Sequence, residues 1–431
     1  MNPDENTQVS SESSEVCIIG AGPSGLYTAI RLAKEGVACT VIDKAVFPRD
    51  KVCGEVITSA SLRCLLELDP GIFKSEVFQK SANLVSGMNL YAPNGKMFYV
   101  PYYSEKNRHL GLDSCIGMRR IDMDGYLMEY AKKLPLITVH EGVSIQHQER
   151  TDFGFRLWDR DRKRAFDTRL LIIANGFHSS LARELSPHFE NKNEDASGLT
   201  AYYTGVEEIS NGHVAECYAL SNLKSGGLFL CPVGNGVINV NIAVHNSVRK
   251  KHQINLRKVL EEACEQNPQL KKRFEKATEI RKGVGHGYHL GIKKRKVSGD
   301  HFLILGDAAG FNDAITANGI AHAFESAKLA LPVIVDALKT ADFRAKKLKE
   351  YEVQAYKKFR EVRILGKIGS TLMNWPGLLF FVLNRFNSLP FISDLVYLLI
   401  YTKSPWLLPF KRDFYRVVIG RKRPAALSSV N

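Results

Sequence analysis

The residues of this chain with the clearest chemical purpose are three glycines and an acid. Gly20, Gly22 and Gly25 form the pattern Gly-x-Gly-x-x-Gly, with Pro23 and Ser24 inside it, directly after the apolar run Val16-Cys-Ile-Ile19. A helix-forming segment follows, and then a second apolar run, Ala38-Cys-Thr-Val-Ile42, that ends at Asp43. Gly20 permits a tight turn, Gly22 lets the backbone approach a pyrophosphate, and Gly25 lets the helix pack closely on the strand. The helix N-terminus offers free N–H groups and a positive dipole end to phosphates. Asp43, 18 residues after Gly25, is spaced to bind a ribose hydroxyl. A Gly-rich turn alone is weak evidence. Strand, turn, helix, strand and acid in this order predict a bound dinucleotide.

A second reactive group follows at once, in Phe47-Pro-Arg-Asp-Lys-Val-Cys-Gly-Glu55. Cys53 stands two residues after the cation Lys51 and just before Gly54, and a neighbouring cation favours a thiolate. Two readings of Cys53 stand side by side: a proton donor or substrate contact, and an inert, half-buried thiol. Glu55 is a candidate general acid or base, weighed against an ordinary structural or solvent-facing glutamate. His286 and His289, in Gly283-Val-Gly-His-Gly-Tyr-His289, are weighed in the same way, and a satisfied structural histidine is the ordinary case. The eight cysteines (17, 39, 53, 64, 115, 217, 231 and 264) include no Cys-x-x-Cys pair and no compact Cys/His cluster. They read as reduced thiols, and no metal centre is expected.

These residues need elements to hold them. The 431 residues, 45% hydrophobic, suffice for a large core and two intimately packed domains. Residues 1–15 are polar, rich in Ser and Glu, with no signal peptide, and read as a disordered tail. A discontinuous dinucleotide domain is expected over 16–83, 104–183 and 281–345. A sheet-rich substrate domain is expected over 84–103 and 184–280. It includes the Gly234-Asn-Gly236 hairpin turn and the strand Gly227-Leu-Phe-Leu-Cys-Pro232. A charged helix is read over 253–276, and long helices over 319–340 and 345–368.

A helical C-terminal region, 346–431, closes the chain. Within it, residues 375–409 carry apolar runs shorter than the ~20 residues that span a bilayer. Arg385, Asn387, Pro390 and Asp394 interrupt them, and Trp and Tyr stand at the run ends. Either a buried helical subdomain, or a lid or membrane-surface contact through 375–423, fits that pattern. The net charge of +14 is concentrated around this region, which suits an anionic lipid surface. No nucleic-acid module or interleaving of basic and aromatic residues is visible, so nucleic acid is not an expected partner. The expected location is the cytoplasm, or the inner face of a membrane as a peripheral protein.

With these segments in hand, the chain resembles the flavoprotein family that includes aromatic-ring hydroxylases, flavin-dependent halogenases and geranylgeranyl reductases. Four spaced motifs carry the resemblance: the dinucleotide turn; Phe47-Pro-Arg-Asp-Lys-Val-Cys53-Gly54, similar to the reductase branch's Pro-Arg-x-Lys-x-Cys-Gly loop; Arg120-x-x-x-Asp124-x-x-Leu127; and Gly306-Asp307-Ala308-Ala-Gly310, followed by Asn318-Gly319-Ile320. The resemblance implies FAD as resident cofactor. It implies an α/β fold with an α+β second domain: a Rossmann-like FAD-binding domain of the glutathione-reductase and p-hydroxybenzoate-hydroxylase type. It implies cofactor contacts at Lys44, Arg49, Cys53, Gly54, Arg120 (a cation near the pyrophosphate), Val143 (a backbone contact with adenine), Asn175 and Gly176. Asp307 would accept a hydrogen bond from a ribityl hydroxyl, and the helix from Gly319 would aim its N-terminus at the flavin.

Three departures are informative. Asn175 replaces the acid of the family's Asp-Gly loop, Ala314 and Ala317 replace its Pro and Gly beside the flavin, and the Trp-x-Trp-x-x-Pro halogenase signature is absent. Phe229, Cys231 and Pro232 are expected to line a substrate pocket.

The chain therefore reads as an FAD-dependent oxidoreductase acting on a hydrophobic small molecule or lipid, with NAD(P)H or a partner reductase as electron donor. Reduction of C=C bonds in a lipid, isoprenoid or polyene is the first reading. A monooxygenase working through a flavin hydroperoxide is the second, with halogenation as its variant. A non-catalytic flavin-binding module is the third.

Overall fold

A computed structural model describes residues 10–102, 114–186, 196–207, 212–223, 226–291, 293–312 and 318–373. Its first layer is an eight-stranded sheet. Parallel strands run in the order Ile137–His140, Cys39–Ile42, Ser10–Ile19, Arg164–Ile173 and Phe302–Ile304. The long strand Arg164–Ile173 is shared along its outer edge. Its first half pairs with Gly154–Asp159 and its second half with Phe302–Ile304. Strands buried on both faces read as unbroken apolar runs, and Val16–Ile19 and Leu170–Ile173 are buried throughout. The helices Pro23–Lys34 and Gly319–Thr340 pack together over this sheet, with Tyr27 and Phe324 rings 5.7 Å apart.

Four expectations are corrected here. The first strand begins at Ser10, so residues 10–15 are not tail. Ser10–Ser14 extend the parallel ladder onto Arg164–Thr168, and Arg164 and Arg169 pair with Glu12 and Glu15. A polar edge of a long strand has the composition of a disordered tail, and only its partner distinguishes the two. Residues 281–288, assigned to the dinucleotide domain, lie in Thr278–Tyr288 and pair with Ala196–Thr204 of the second sheet. The helix expected over 253–276 is two helices, Leu256–Gln266 and Pro268–Phe274, because Asn267 caps the second and Pro268 starts it. Likewise the helix from Ala345 stops at Lys358, and a second runs Arg360–Met373.

The second layer is a seven-stranded sheet: Thr278–Tyr288, Ala196–Thr204, Ile238–His245, Gly227–Pro232, Val214–Tyr218, Gly87–Tyr91 and Met97–Pro101. The turn at Gly234–Gly236 forms as read, with Asn235 and Gly236 both at positive φ. One face of this sheet (Leu228, Leu230, Val240, Ile242, Val244) packs on the helices at 256–274. The other carries Thr200, Tyr202, Phe229, Asn239 and Asn241. These alternate with the first set and turn towards the Cys53 loop. A small sheet of Val56–Ile57, Asn83–Val85 and Cys115–Gly117 joins the two layers.

The apolar segment 375–409 lies outside the described residues. Among those described, no helix is long and apolar enough to cross a membrane.

Candidate active site

The dinucleotide turn sits at the C-terminal end of the first strand. Gly20 has φ +105° and lies so close to Ala174 and Asn175 that a Cβ would come within 2.6 Å of their backbone. A Cβ on Gly25 would stand 1.9 Å from the Gly20 carbonyl oxygen. Gly22 is different: a Cβ there would meet nothing within 4 Å. Two glycines are thus required by protein packing, and the third opens onto free space. That space lies at the start of Pro23–Lys34, which has no side-chain cap, so its first N–H groups face a ligand position. This is a cradle fit for a pyrophosphate.

Asp43 serves the turn directly. Its carboxylate accepts from the N–H of Ala21 (2.7 Å) and of Ala45 (2.8 Å). Lys44 beside it is exposed, and burial together with the Lys44 and Arg183 charges pushes the His178 imidazole below its ordinary value. Val143 is buried, and its N–H donates to the Asp43 carbonyl at 3.0 Å, which ties its segment to that of the acid.

On the far side of the same opening, Gly306–Ala309 forms a single 3-10 turn after the buried strand Phe302–Ile304. Gly306 and Gly310 have positive φ, and the Gly306 N–H donates to Ser326 Oγ at 2.9 Å. A Cβ on Gly319 would lie 3.5 Å from Asp307 Oδ1, so the long helix begins against that carboxylate. Asn318 caps nothing with its side chain and accepts from Thr58 Oγ1 at 3.4 Å, while Ile320 is buried behind it. Asp307 is partly exposed and faces Lys51 Nζ at 3.8 Å. A Cβ on Gly176 would stand 3.7 Å from the same Nζ. Asn175 Oδ1, beside it, is buried without a hydrogen-bond partner. A half-exposed carboxylate–ammonium pair and an orphaned amide oxygen around one opening fit a polar, hydroxyl-bearing cofactor. Ala308 is buried, and a Cβ on Gly310 would lie 3.0 Å from the Arg295 guanidinium, so that glycine makes room for Arg295. Ala314 and Ala317 lie outside the described residues.

The loop 49–55 crosses between the layers and is fastened at several points. Arg49 pairs with buried Asp124 at 2.9 Å, Asp50 with Arg119 at 3.8 Å and with Arg281, and the Cys53 carbonyl accepts from Asn239 Nδ2 at 2.9 Å. Gly54 leaves room for Phe229, whose ring would be 3.9 Å from a Cβ at that position. Cys53 is half-buried, its sulfur beside the Arg120 guanidinium.

Several expected site residues take other roles. Arg120, expected on the pyrophosphate, is 3% exposed and grips Asp124 with two bonds of 2.8 and 2.6 Å. Burial alone would raise the Asp124 carboxyl, but Arg120, Arg49 and Lys51 hold it below its ordinary value. A guanidinium buried with its counterion is committed to the fold. Glu55, expected as an acid or base, is 1% exposed. Its Oε1 accepts from the Arg120 N–H (2.9 Å) and Tyr202 OH (2.7 Å), and its Oε2 from Asn239 Nδ2 (3.1 Å). Burial raises its carboxyl to about 7 against the lowering by those donors. Cys231 is fully buried, and the Pro232 carbonyl abuts Gly117, where a Cβ would come within 1.9 Å. Both are interlayer packing: Cys231 is sealed beside Glu55 and Cys53, and Phe229 lies against Gly54. His286 faces Gly198, and burial lowers its imidazole to about 4.

Lys51, Tyr202 and Asn239 were missed as site residues. Lys51 was recoverable from its place in the Cys53 loop. Tyr202 and Asn239 lie on strands with no local signal. Among the described residues no group of His, Cys, Asp or Glu is arranged to hold a metal.

The comparisons agree with this geometry. Residues 13–355 match the family described as FAD binding domain. A curated relative, conditioned medium factor receptor 1 of Dictyostelium discoideum, is 28% identical over 78% of this chain and 66% of its own length, just under two thirds. A digeranylgeranylglycerophospholipid reductase of Methanococcus vannielii is 26% identical over 80% of this chain and 82% of its own. The crystal structure of a geranylgeranyl bacteriochlorophyll reductase-like protein from Thermoplasma acidophilum superposes with a TM-score of 0.75 at 21% identity, covering 97% of this chain and 99% of that one. The glycine cradle, the Asp307 turn and the match over most of the chain give one conclusion: this chain belongs to the FAD binding domain family and is an FAD-dependent oxidoreductase.

Proposed function

We propose that this oxidoreductase saturates C=C bonds of a hydrophobic lipid, isoprenoid or polyene. The observation that carries the reading is the Cys53–Gly54 turn, held between the Asp307 opening and Phe229 of the second sheet, with a thiol next to the Arg120 guanidinium. Bound FAD supplies the two-electron chemistry. Gly22 and the uncapped helix hold its pyrophosphate, Asp307 and Lys51 orient its polyol, and Phe229 gives the substrate an apolar wall. Saturation also needs a proton at one carbon. Cys53 Sγ is the donor in this reading, beside the Arg120 guanidinium whose charge Asp124 shares. The relatives named as geranylgeranyl-type reductases support the same substrate class. NAD(P)H or a partner reductase reduces the cofactor. A membrane surface supplies the substrate in this reading, with the basic and apolar sequence 375–423 as the contact.

Anaerobically reduced protein is mixed in a stopped-flow instrument with a polyunsaturated isoprenoid lipid, and separately with oxygen. Reoxidation by the lipid without oxygen, with a product two mass units heavier, supports the reductase. Reoxidation only by oxygen, through a transient absorbing species and with an oxygenated product, overturns it in favour of a monooxygenase.

A further inference from the structure

Glu55 is a buried carboxyl that does not open onto the cofactor side, and it sits at an unusual backbone position, φ +59°. Non-glycine residues are held there only where the surroundings over-determine them. Its three donors come from three separate elements: the N–H of Arg120 at the start of Arg120–Lys132, Tyr202 OH on Ala196–Thr204, and Asn239 Nδ2 on Ile238–His245. The Asn239 amide is forked. The same Nδ2 that donates to Glu55 Oε2 also donates to the Cys53 carbonyl, while Asn239 Oδ1, fully buried, has no hydrogen-bond partner.

We propose that Glu55 and Asn239 form a latch that positions Cys53, by tying the Cys53–Gly54 turn to the second sheet. The proposal rests on the function above only in taking Cys53 as a working thiol. The latch has two arrangements. With Glu55 ionised, Oε2 accepts from Nδ2, and Nδ2 also holds the Cys53 carbonyl. With Glu55 protonated, the Oε2–H needs an acceptor in place of the Nδ2 donor that now faces it. Turning the amide by half a rotation brings the orphaned Oδ1 to Oε2–H and withdraws Nδ2 from the Cys53 carbonyl. The charged and titratable groups around Glu55 are Asp50 and Cys53 on its own loop, Arg119 and Arg120 on the helix, and Tyr202, Cys231 and Arg281 on the strands. Arg119 and Arg281 both pair with Asp50, so Asp50 does not leave Glu55 facing an unbalanced anion.

The test is the N-ethylmaleimide alkylation rate of Cys53 in the full chain. It is followed by peptide mass spectrometry from pH 5.5 to 8.5 and divided by the rate of free N-acetylcysteine. A lost hydrogen bond on a half-buried turn corresponds to a change of about five- to tenfold. Wild-type protein should show a step of that size near pH 7, with Cys53 more reactive on the acid side. Glu55→Gln, whose carbonyl oxygen is claimed by the Arg120 N–H and Tyr202 OH so that its NH2 faces Nδ2 as a donor, should be fast at every pH and show no step. Asn239→Ala should do the same. A wild-type profile without the step overturns the latch, as does the step persisting in either variant with native circular dichroism. If both variants misfold, the wild-type profile decides. FAD content is read separately by absorbance, so failure to bind flavin would refute the cofactor reading and leave the alkylation result interpretable.

Discussion

At the residue scale, the three glycines of the dinucleotide turn separate into two kinds. A Cβ at position 25 collides with the Gly20 carbonyl, and one at position 22 touches nothing. Gly25→Ala should therefore destabilise the whole protein by about 3 kcal/mol, read as a shifted urea midpoint. Gly22→Val should leave the midpoint of the FAD-free protein unchanged and abolish the yellow colour of the purified protein. A Gly22→Val protein that kept full flavin content would refute the cradle. Cys53→Ala should retain FAD and lose about 100-fold in turnover, the ordinary size of a positioned proton transfer. Unchanged turnover would make the thiol structural.

Glu55 gives a pH signature. Its carboxyl is raised from 4.5 to about 7 in the folded state, so the folded protein binds that proton more tightly than the unfolded chain does. The resulting stability is fully present below pH 4.5 and is lost as pH rises through about 7. His286, lowered from 6.5 to about 4, acts in the opposite sense, losing stability as pH falls through that range. The difference between wild type and Glu55→Gln cancels the histidine. Wild type should lose urea-midpoint stability relative to the variant between pH 4.5 and 7.5, and a constant difference would refute the raised carboxyl.

At the element scale, the site depends on where strands stop and helices start. The turn at Gly306–Ala309 is held to the long helix by one buried bond, Gly306 N–H to Ser326 Oγ, and Ser326 in turn donates to the Ala323 carbonyl at 2.8 Å. Ser326→Ala leaves a buried N–H without an acceptor. That should cost about 1–3 kcal/mol in chemical denaturation and weaken FAD binding through Asp307. The start of Arg120–Lys132 carries a larger liability. Asp124 is the shared anion of Arg120 and Arg49, and Asp124→Asn would leave two cations with reduced compensation. Removing one partner of a buried pair costs about 3–5 kcal/mol. Much of the cofactor-side chemistry was readable from sequence at this scale, because a strand, a glycine turn, a helix start and a terminal acid are contiguous. The placement of Arg120 was not, since the same spacing serves a phosphate contact or an internal ion pair.

At the scale of the whole molecule, the two layers meet through the small sheet at Gly117 and through polar contacts of one short loop. Arg49, Asp50, Lys51, Cys53 and Glu55 together reach five elements. The FAD cradle therefore borders the surface that holds the second sheet in place. Binding FAD should stabilise the folded protein by about 2.7 kcal/mol at roughly 100 times its dissociation constant. A thermal midpoint indifferent to added FAD would contradict a preformed site.

What the amino-acid sequence determined by itself were the features set by local physics. Buried parallel strands show as apolar runs, glycines mark turns that tolerate no side chain, and Asn235-Gly236 dictates its hairpin. The motifs of the cofactor site are short enough to be legible for the same reason. Tertiary structure alone decided which polar residues belong to chemistry and which to assembly. Ser10–Ser14 become strand only because Arg164–Thr168 lie beside them. Cys231 and Pro232 are sealed only because Gly117 approaches them. Glu55 acquires its three donors from elements up to 184 residues away. Burial and hydrogen-bond partnership across such distances are properties of the packed chain, and no local pattern encodes them.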